Sequence, residues 1–352
     1  MPEAPHAPAI RRITSILSDL HDPSSPSAGM FTAELGAPTV PAVLDTSLAD
    51  SRHVADQVAS GALREVRPGV LLPAAVVGAD PAGHDETLLA EVRGVLAASR
   101  SRLWFSHATA ARLLGAWTYA TPCLVDVTHT FKPHVAGGRE PLVRRHFTTL
   151  PPRERATVGG IPVTSPERTL VDCLRTLTPA GGLAVADSLF RLGADPAEVS
   201  RIMTASAGKR GMVRARRLLE LCDPRSGSPG ESVARLVAAD DGLPRPVCQI
   251  PVVTASGTWY VDFGWPDVGL GVEFDGAVKY AGGRYGDPEM VRRRQERRAA
   301  AILDAGYELV RVGWSELADP LTLGHTLRAA YTEAWRAARS DAGRRPARAG
   351  LR

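Results

Sequence analysis

Two acidic strands separated by a short turn are the feature that most constrains this chain. Polar and apolar residues alternate through TWYVDFGWPDVGLGVEFDG, residues 258–276, on both sides of a Pro-Asp-Val-Gly turn at 266–269. Successive side chains of a strand point to opposite faces, so the pattern predicts a hairpin with one apolar and one acidic face. A hairpin centred on this turn places Asp262 directly opposite Glu273, with Cβ atoms about 4.5–5.5 Å apart, and Asp275 one step along the same face.

Carboxylates that face each other across a sheet need compensation, because like charges in this position destabilise strand pairing. A divalent cation would supply it, and hard oxygen ligands favour Mg²⁺ or Mn²⁺. Such an ion could activate water and stabilise the charge on a phosphodiester. The alternative is a solvated acidic face on which the twist of the sheet keeps the charges apart.

Residues 228–317 resemble the very-short-patch-repair endonuclease-like group of the PD-(D/E)XK nuclease superfamily. The resemblance rests on Glu231 in a helix, Asp262 in a strand, the strand end EFDG at 273–276 and the segment GYELVR at 306–311. It implies a restriction-endonuclease-like domain, a mixed sheet flanked by helices. It also implies a metal-dependent phosphodiesterase site, with Asp262 and Glu273 as metal ligands and Glu231 assisting them.

The chain departs from that family pattern at two places. The lysine that usually follows the second acid by two residues is Asp275 here, and Lys279 would replace it if the strand end curls back. The next helix reads QERRAA at 295–300, with alanines where an acid is usual. Two hypotheses therefore stay open: a metal-dependent DNA endonuclease that uses Asp275 and Lys279 beside the three acids above, or a regulator that keeps the fold only for binding.

A cluster of arginines follows the acidic strands. The segment RRRQERR predicts a helix that contacts DNA phosphates through Arg292, Arg293, Arg294, Arg297 and Arg298. A solvated helix face is the alternative for part of this cluster. The net charge of +4 permits a nucleic-acid partner without requiring one. No small-molecule ligand is evident from the sequence.

The N-terminal third contains the pattern of a winged helix. An amphipathic helix at 51–61 ends on a glycine, and an alternating strand, a Pro-Gly turn and an apolar strand follow at 62–72. In such a fold the helix enters the major groove and the hairpin contacts phosphates. The predicted DNA-binding residues are Arg52, His53 and Gln57 on the helix and Arg64 and Arg67 on the hairpin. The segment resembles the N-terminal winged helix of AbiEi-type antitoxins; a small helix and hairpin packed on a neighbour is the alternative.

The middle of the chain carries two further motifs, SHATAARLLG at 106–115 and GIPVTSPERTLVDCLR at 160–175. Together they resemble the C-terminal domain of the same AbiEi antitoxins, from type IV toxin–antitoxin systems. The resemblance implies the heritage of a transcriptional regulator or antitoxin, with DNA and a cognate toxin as partners. Histidines 107, 129, 134 and 146 have irregular spacing and no evident acidic partner, so we interpret them as unrelated residues.

These patterns predict a multidomain α+β or α/β chain. The predicted parts are a disordered segment at 1–35, a winged helix at 36–100, an AbiEi-like mixed α/β domain at 101–222, a linker at 223–230, a restriction-endonuclease-like domain at 231–335 and a basic disordered tail at 336–352. Met30 is an alternative start. The four cysteines lack metal-ligand spacing, which favours buried thiols. Without a run of 18 apolar residues or a signal peptide, we expect a cytoplasmic protein with no membrane partner.

Overall fold

The structure is a computed structural model that describes residues 4–21, 44–45, 51–67, 70–73, 81–99, 101–120, 124–132, 142–276 and 288–342. Its contacts divide the chain into two units: Gly29–Cys173, and Met1–Ala28 together with Leu174–Arg352.

The chain combines runs of helices and runs of strands in a mixed α/β arrangement. The helices are α1 (Ala7–His21), α2 (Ser51–Ala59), α3 (Pro81–Ala98), α4 (His107–Leu113), α5 (Pro166–Thr176), α6 (Pro179–Arg191), α7 (Pro196–Ala205), α8 (Met212–Leu221), α9 (Pro229–Asp240), α10 (Pro288–Asp304), α11 (Trp314–Ala318) and α12 (Pro320–Ala342). The strands are β1 (Leu44–Asp45), β2 (Leu63–Arg67), β3 (Val70–Pro73), β4 (Trp104–Phe105), β5 (Val125–His129), β6 (Val143–Phe147), β7 (Arg155–Val158), β8 (Ile161–Thr164), β9 (Val247–Thr254), β10 (Gly257–Trp265), β11 (Leu270–Phe274) and β12 (Glu308–Val312).

The unit Gly29–Cys173 contains the predicted helix and hairpin. Helix α2 is followed by Gly61 at φ +75°, a conformation that glycine adopts without strain, and the chain then enters β2. Strands β2 and β3 pair antiparallel, and β3 also pairs with β1. The helix–hairpin prediction is confirmed, whereas the winged helix itself stays a prediction.

A five-stranded mixed sheet forms the rest of this unit, in the order β6-β5-β4-β8-β7. Strand β5 runs parallel to β6 and antiparallel to β4, and β4 is parallel to β8. The central strands bury Phe105, Val125, Val127 and Val163, which pack with apolar residues of α3. The sheet therefore has an apolar core, and a polar group buried in that core needs a specific hydrogen-bond partner.

The second unit contains a four-stranded mixed sheet in the order β12-β11-β10-β9. The pairs β9–β10 and β10–β11 are antiparallel, and β11–β12 is parallel with α10 between them in sequence. With α9 before β9, the order is helix, three strands, helix, strand. Ile250, Val252, Val261 and Ile302 form a core between the sheet and α10. This mixed sheet with helices is the coarse architecture that the sequence predicts.

The N-terminal segment differs from the prediction. Residues 1–35 were expected to be disordered from their Pro, Ala and Ser content, yet α1 is a helix whose Ala9 and Ile13 are fully buried. Arg12 donates hydrogen bonds through Nη2 to the carbonyl oxygens of Glu220 (2.8 Å) and Cys222 (3.2 Å). The physical reason is a helical apolar stripe within AIRRITSIL, which composition alone conceals.

The predicted linker and the predicted C-terminal tail also contain ordered structure. In the segment 223–230, predicted as a linker, Asp223 and Ser226 are buried, and Ser228 caps α9 by accepting a hydrogen bond from the Glu231 N–H. The predicted tail at 336–352 begins inside α12, which continues to Ala342; residues 343–352 lie outside the described residues. In the predicted linker, the Ser228 cap fixes the start of a helix. In the predicted tail, the helical periodicity of α12 continues through the small and basic residues that suggested disorder.

Cys173, Cys222 and Cys248 are free and buried, as predicted, and Cys123 lies outside the described residues. Burial raises the pKa of the Cys248 thiol well above its usual value. In the described part of the chain, no helix has the length and apolarity that crossing a bilayer requires.

Candidate active site

The acidic hairpin has the register that the sequence predicts. Phe263 pairs with Val272 and Gly264 with Gly271, so the next pair in this register is Asp262 and Glu273. Both acids are half-buried, while their apolar neighbours face the core. Asp262 Oδ2 also accepts a hydrogen bond from the Phe274 N–H at 2.8 Å, which fixes its carboxylate at the end of β11.

Glu231 is brought near Asp262 by the N-terminus of α9. Its side chain is buried and accepts hydrogen bonds from Gly227 N (2.8 Å) and Ser228 Oγ (3.0 Å). Desolvation and the negative charge of Asp262 raise the pKa of Glu231 to about 7. The capping serine thus orients an acid that the sequence separates from Asp262 by a whole strand.

Glu273 has a protein partner that the sequence did not predict. Arg298 Nη1 lies 2.7 Å from Glu273 Oε1, and Arg298 Nη2 donates a hydrogen bond to the Tyr260 carbonyl oxygen. The predicted need for a cation between the two strands is therefore met in part by an arginine of α10. Arg298 belongs to the predicted DNA-binding cluster, so helix α10 carries both the partner of Glu273 and the exposed arginines of that cluster.

The remaining predicted residues occupy different surroundings. Asp275 is half-buried just after β11, and its N–H donates to the Val312 carbonyl oxygen at 2.8 Å. Lys279, the substitute for the family lysine, lies outside the described residues. On α10 the side chains of Arg293, Arg294 and Arg297 are exposed, whereas that of Arg292 lies outside the described part.

Of the predicted DNA-binding residues in the N-terminal helix and hairpin, only Gln57 has its side chain among the described residues. Gln57 is half-buried on α2. The side chains of Arg52, His53, Arg64 and Arg67 lie outside the described residues.

Carboxylates from two strands and one helix lie in this part of the chain. Asp262 and Glu273 are opposite each other in the hairpin register, and Glu231 lies near Asp262; desolvation first, and then the charge of Asp262, raise the pKa of Glu231. Asp262 and Glu273 are the residues that could hold a hard cation such as Mg²⁺ or Mn²⁺, although the ligand atoms of the three acids do not all lie within 4.8 Å of one another.

A second polar cluster was missed in the sequence. His107, Asp126 and His146 each offer one ligand atom, and these atoms lie within 4.8 Å of one another. The interpretation that the histidines have no acidic partner was wrong, since His146 Nε2 lies 2.8 Å from Asp126 Oδ1. His129 instead stacks on Phe147, and His134 lies outside the described residues.

A signal for this cluster was present in LVDVTH, where an aspartate lies between two valines of a strand. Its partner could not be found from the sequence, because β5 and β6 are parallel and no short turn sets their register.

Comparisons with known proteins show a family similarity in the middle of the chain. Residues 104–221 match the family AbiEi antitoxin C-terminal domain, a span that contains the histidine cluster and ends before α9. Two relatives are Uncharacterized protein MT2308 of Mycobacterium tuberculosis strain CDC 1551 / Oshkosh and Uncharacterized protein Rv2248 of strain ATCC 25618 / H37Rv. Each is 36% identical over 155 residues, 44% of this chain and 55% of the relative.

The chain thus spans about half the length of these curated relatives. No solved structure matches it significantly. The middle region, with its motifs at 106–115 and 160–175, is therefore similar to the C-terminal domain of AbiEi antitoxins, as the sequence predicts.

Proposed function

We propose that this chain is a DNA-binding protein whose C-terminal region carries a metal-dependent phosphodiesterase site of restriction-endonuclease type. The observation that carries the proposal is the register that sets Asp262 opposite Glu273 in the hairpin, with Glu231 of α9 near Asp262. The order of α9, three strands, α10 and β12 agrees with the family resemblance of residues 228–317.

The roles of the residues follow from their positions. Asp262 and Glu273 would hold the cation, and Glu231, fixed by the α9 cap, would assist them beside Asp262. A bound Mg²⁺ or Mn²⁺ would supply water activation and stabilise the charge on the phosphodiester. Arg298 pairs with Glu273 and would have to leave this carboxylate for a cation to reach it.

The exposed arginines of α10 place positive charge next to the acids. Arg293, Arg294 and Arg297 bind the DNA backbone in this proposal, and phosphate contacts of this kind carry no sequence information. Sequence preference then comes from the helix and hairpin at 51–73, which we propose to be a winged helix.

A second function is favoured by two observations. Arg298 already neutralises Glu273, and residues 104–221 match an antitoxin domain. The alternative is a non-catalytic AbiEi-type antitoxin and transcriptional regulator in the cytoplasm, with a cognate toxin as a partner and the nuclease-like fold used only for binding.

Plasmid cleavage with Mg²⁺ or Mn²⁺ separates the two functions. The comparison is the full chain against Asp262→Asn and Glu273→Gln, with Asp267→Asn as a matched control, because Asp267 is an exposed acid in the turn of the same hairpin. We expect ion-dependent nicking in the wild type and the control and its loss in both site variants, because each loses one charged ligand oxygen.

DNA binding is measured on the same four proteins in EDTA, by fluorescence anisotropy at several salt concentrations. Cleavage that survives both site substitutions would refute the assigned site. Salt-sensitive binding without cleavage in any protein would favour the regulator, and the absence of both would refute the DNA-binding proposal.

A further inference from the structure

The histidine cluster lies in the unit Gly29–Cys173, apart from the carboxylate hairpin in the sequence. His146 Nε2 lies 2.8 Å from Asp126 Oδ1, and the His107 and His146 rings stack with centroids 3.7 Å apart and planes 18° apart. His107 and Asp126 are almost completely buried. In the described part of the chain, no other group of three such residues brings its ligand atoms this close.

Each member is held in place by its own element. His107 begins α4 at φ +53°, a left-handed conformation that is unfavourable for a residue with a side chain. The parallel register of β5 and β6 sets Asp126 beside Arg144 and Thr128 beside His146. Asp126 N donates to Thr109 Oγ1 at 2.9 Å, which ties α4 to β5.

The surroundings of His107 resemble those of a metal ligand. Its Nδ1 lies 3.0 Å from Ser106 Oγ, so Nε2 is the ring nitrogen left for ligation. Histidines that bind metals commonly use their other ring nitrogen in such a hydrogen bond, which fixes the ring.

Charged groups also lie at the cluster. Asp126 brings one negative charge to the cluster, and Arg144 Nε approaches it at 3.7 Å from the exposed side.

We propose that His107, Asp126 and His146 form a binding site for a divalent first-row transition metal ion, Zn²⁺ in particular. Two imidazoles and one carboxylate are a borderline-soft ligand set that suits Zn²⁺ and discriminates against Mg²⁺ and Ca²⁺. Bonds of about 2.0–2.2 Å would separate His146 Nε2 from Asp126 Oδ1, now 2.8 Å apart, and would require the two stacked rings to turn so that one nitrogen of each faces the ion. The site is independent of the carboxylates of the hairpin.

The alternative is a buried hydrogen-bonded network in which His146 only neutralises Asp126. Both arrangements stabilise the domain, but only a metal site binds one ion with defined stoichiometry and nitrogen ligation. The experiment therefore measures binding rather than stability.

The full chain with Asp262→Asn and Glu273→Gln, which removes the acidic hairpin site, is stripped with a chelator and titrated with Zn²⁺ against a chromophoric competitor. We expect one Zn²⁺ per chain and a weakening of at least about tenfold when His146→Ala or Asp126→Asn is added. His129→Asn is the matched control, because His129 is a buried histidine of the same strand as Asp126 that lies outside the cluster; its affinity should not change.

A second readout uses Co²⁺, whose visible absorption reports ligand number and type. A band that is present in the parent and in His129→Asn, and lost in His146→Ala, supports the site. Absence of stoichiometric Zn²⁺ binding in the parent would overturn the proposal even if a variant failed to fold. Equal affinity in all the variants would overturn it as well, and neither result bears on cleavage by the acidic hairpin.

Discussion

Replacing Asp223 with asparagine tests the ionic network that anchors α9 within its unit. Asp223 is 1% exposed, and Arg225 donates to its carboxylate through Nε at 2.9 Å and Nη2 at 2.7 Å. The Asp223 N–H donates to Asp187, whose carboxylate is paired with Arg235 of α9. Asparagine keeps the shape of the side chain and one acceptor oxygen but removes the charge.

The pKa of Asp223 sets the size of the effect. Burial acts to raise this pKa, but hydrogen bonds and the charge of Arg225, together with the charge of Arg235, lower it from 3.8 to about 2. Each pKa unit corresponds to about 1.4 kcal/mol, so the charged form contributes about 2 kcal/mol to the free energy of unfolding. Because the folded pKa is depressed, this stability is present above pH 3.8 and is lost as the pH falls towards 2.

Urea unfolding followed by circular dichroism between pH 7 and pH 3 measures this difference. We expect Asp223→Asn to lower the free energy of unfolding by about 2 kcal/mol at pH 7, and the gap from the wild type to shrink below pH 3.8. The control is Asp241→Asn, which breaks a more exposed pair with Arg328 and should cost less than about 1 kcal/mol. A gap that stays constant with pH, or one no larger than the control's, would refute the argument.

Two further predictions concern the surroundings of the acidic site. An added Cβ in Gly230→Ala would lie 2.2 Å from Phe274 Cζ, so we expect overpacking to lower the free energy of unfolding by about 1–3 kcal/mol in urea titrations. Replacing the exposed Arg294 or Arg297 with glutamine should weaken binding to unrelated DNA sequences equally. It should also reduce the slope of log affinity against log salt by about 1 per lost contact, measured by fluorescence anisotropy.

Matched variants control both of these measurements. Gly181→Ala adds a Cβ whose nearest neighbour, Thr178 Oγ1, lies 3.2 Å away, so a shift of a few tenths of an ångström accommodates it and the cost should be smaller than that of Gly230→Ala. Arg336→Gln removes an exposed arginine from α12 and should leave the salt slope unchanged. Equal destabilisation by the two alanines, or equal slopes for all three arginine variants, would contradict the proposed contacts.

Local patterns in the sequence were sufficient for the hairpin and for a helix around Glu231. A four-residue turn and strict alternation set the strand register, because a shift by one residue would move Val261 and Phe263 out of the core. The helix is confirmed as α9, whereas its Ser228 cap lies in the segment that the sequence predicted as a linker. The motifs at 106–115 and 160–175 likewise indicated an AbiEi antitoxin domain.

The tertiary structure alone decided which side chains meet. It placed Arg298 on Glu273 and Glu231 beside Asp262, contacts that depend on how two helices pack on the sheet. It also joined Asp126 to His146, whose separation in sequence carries no information about a parallel register. Local periodicity determines the elements of this chain, whereas contacts between distant elements depend on the packing of the whole core. The pairing of Arg298 with Glu273 and the histidine cluster are both contacts between elements that are distant in the sequence.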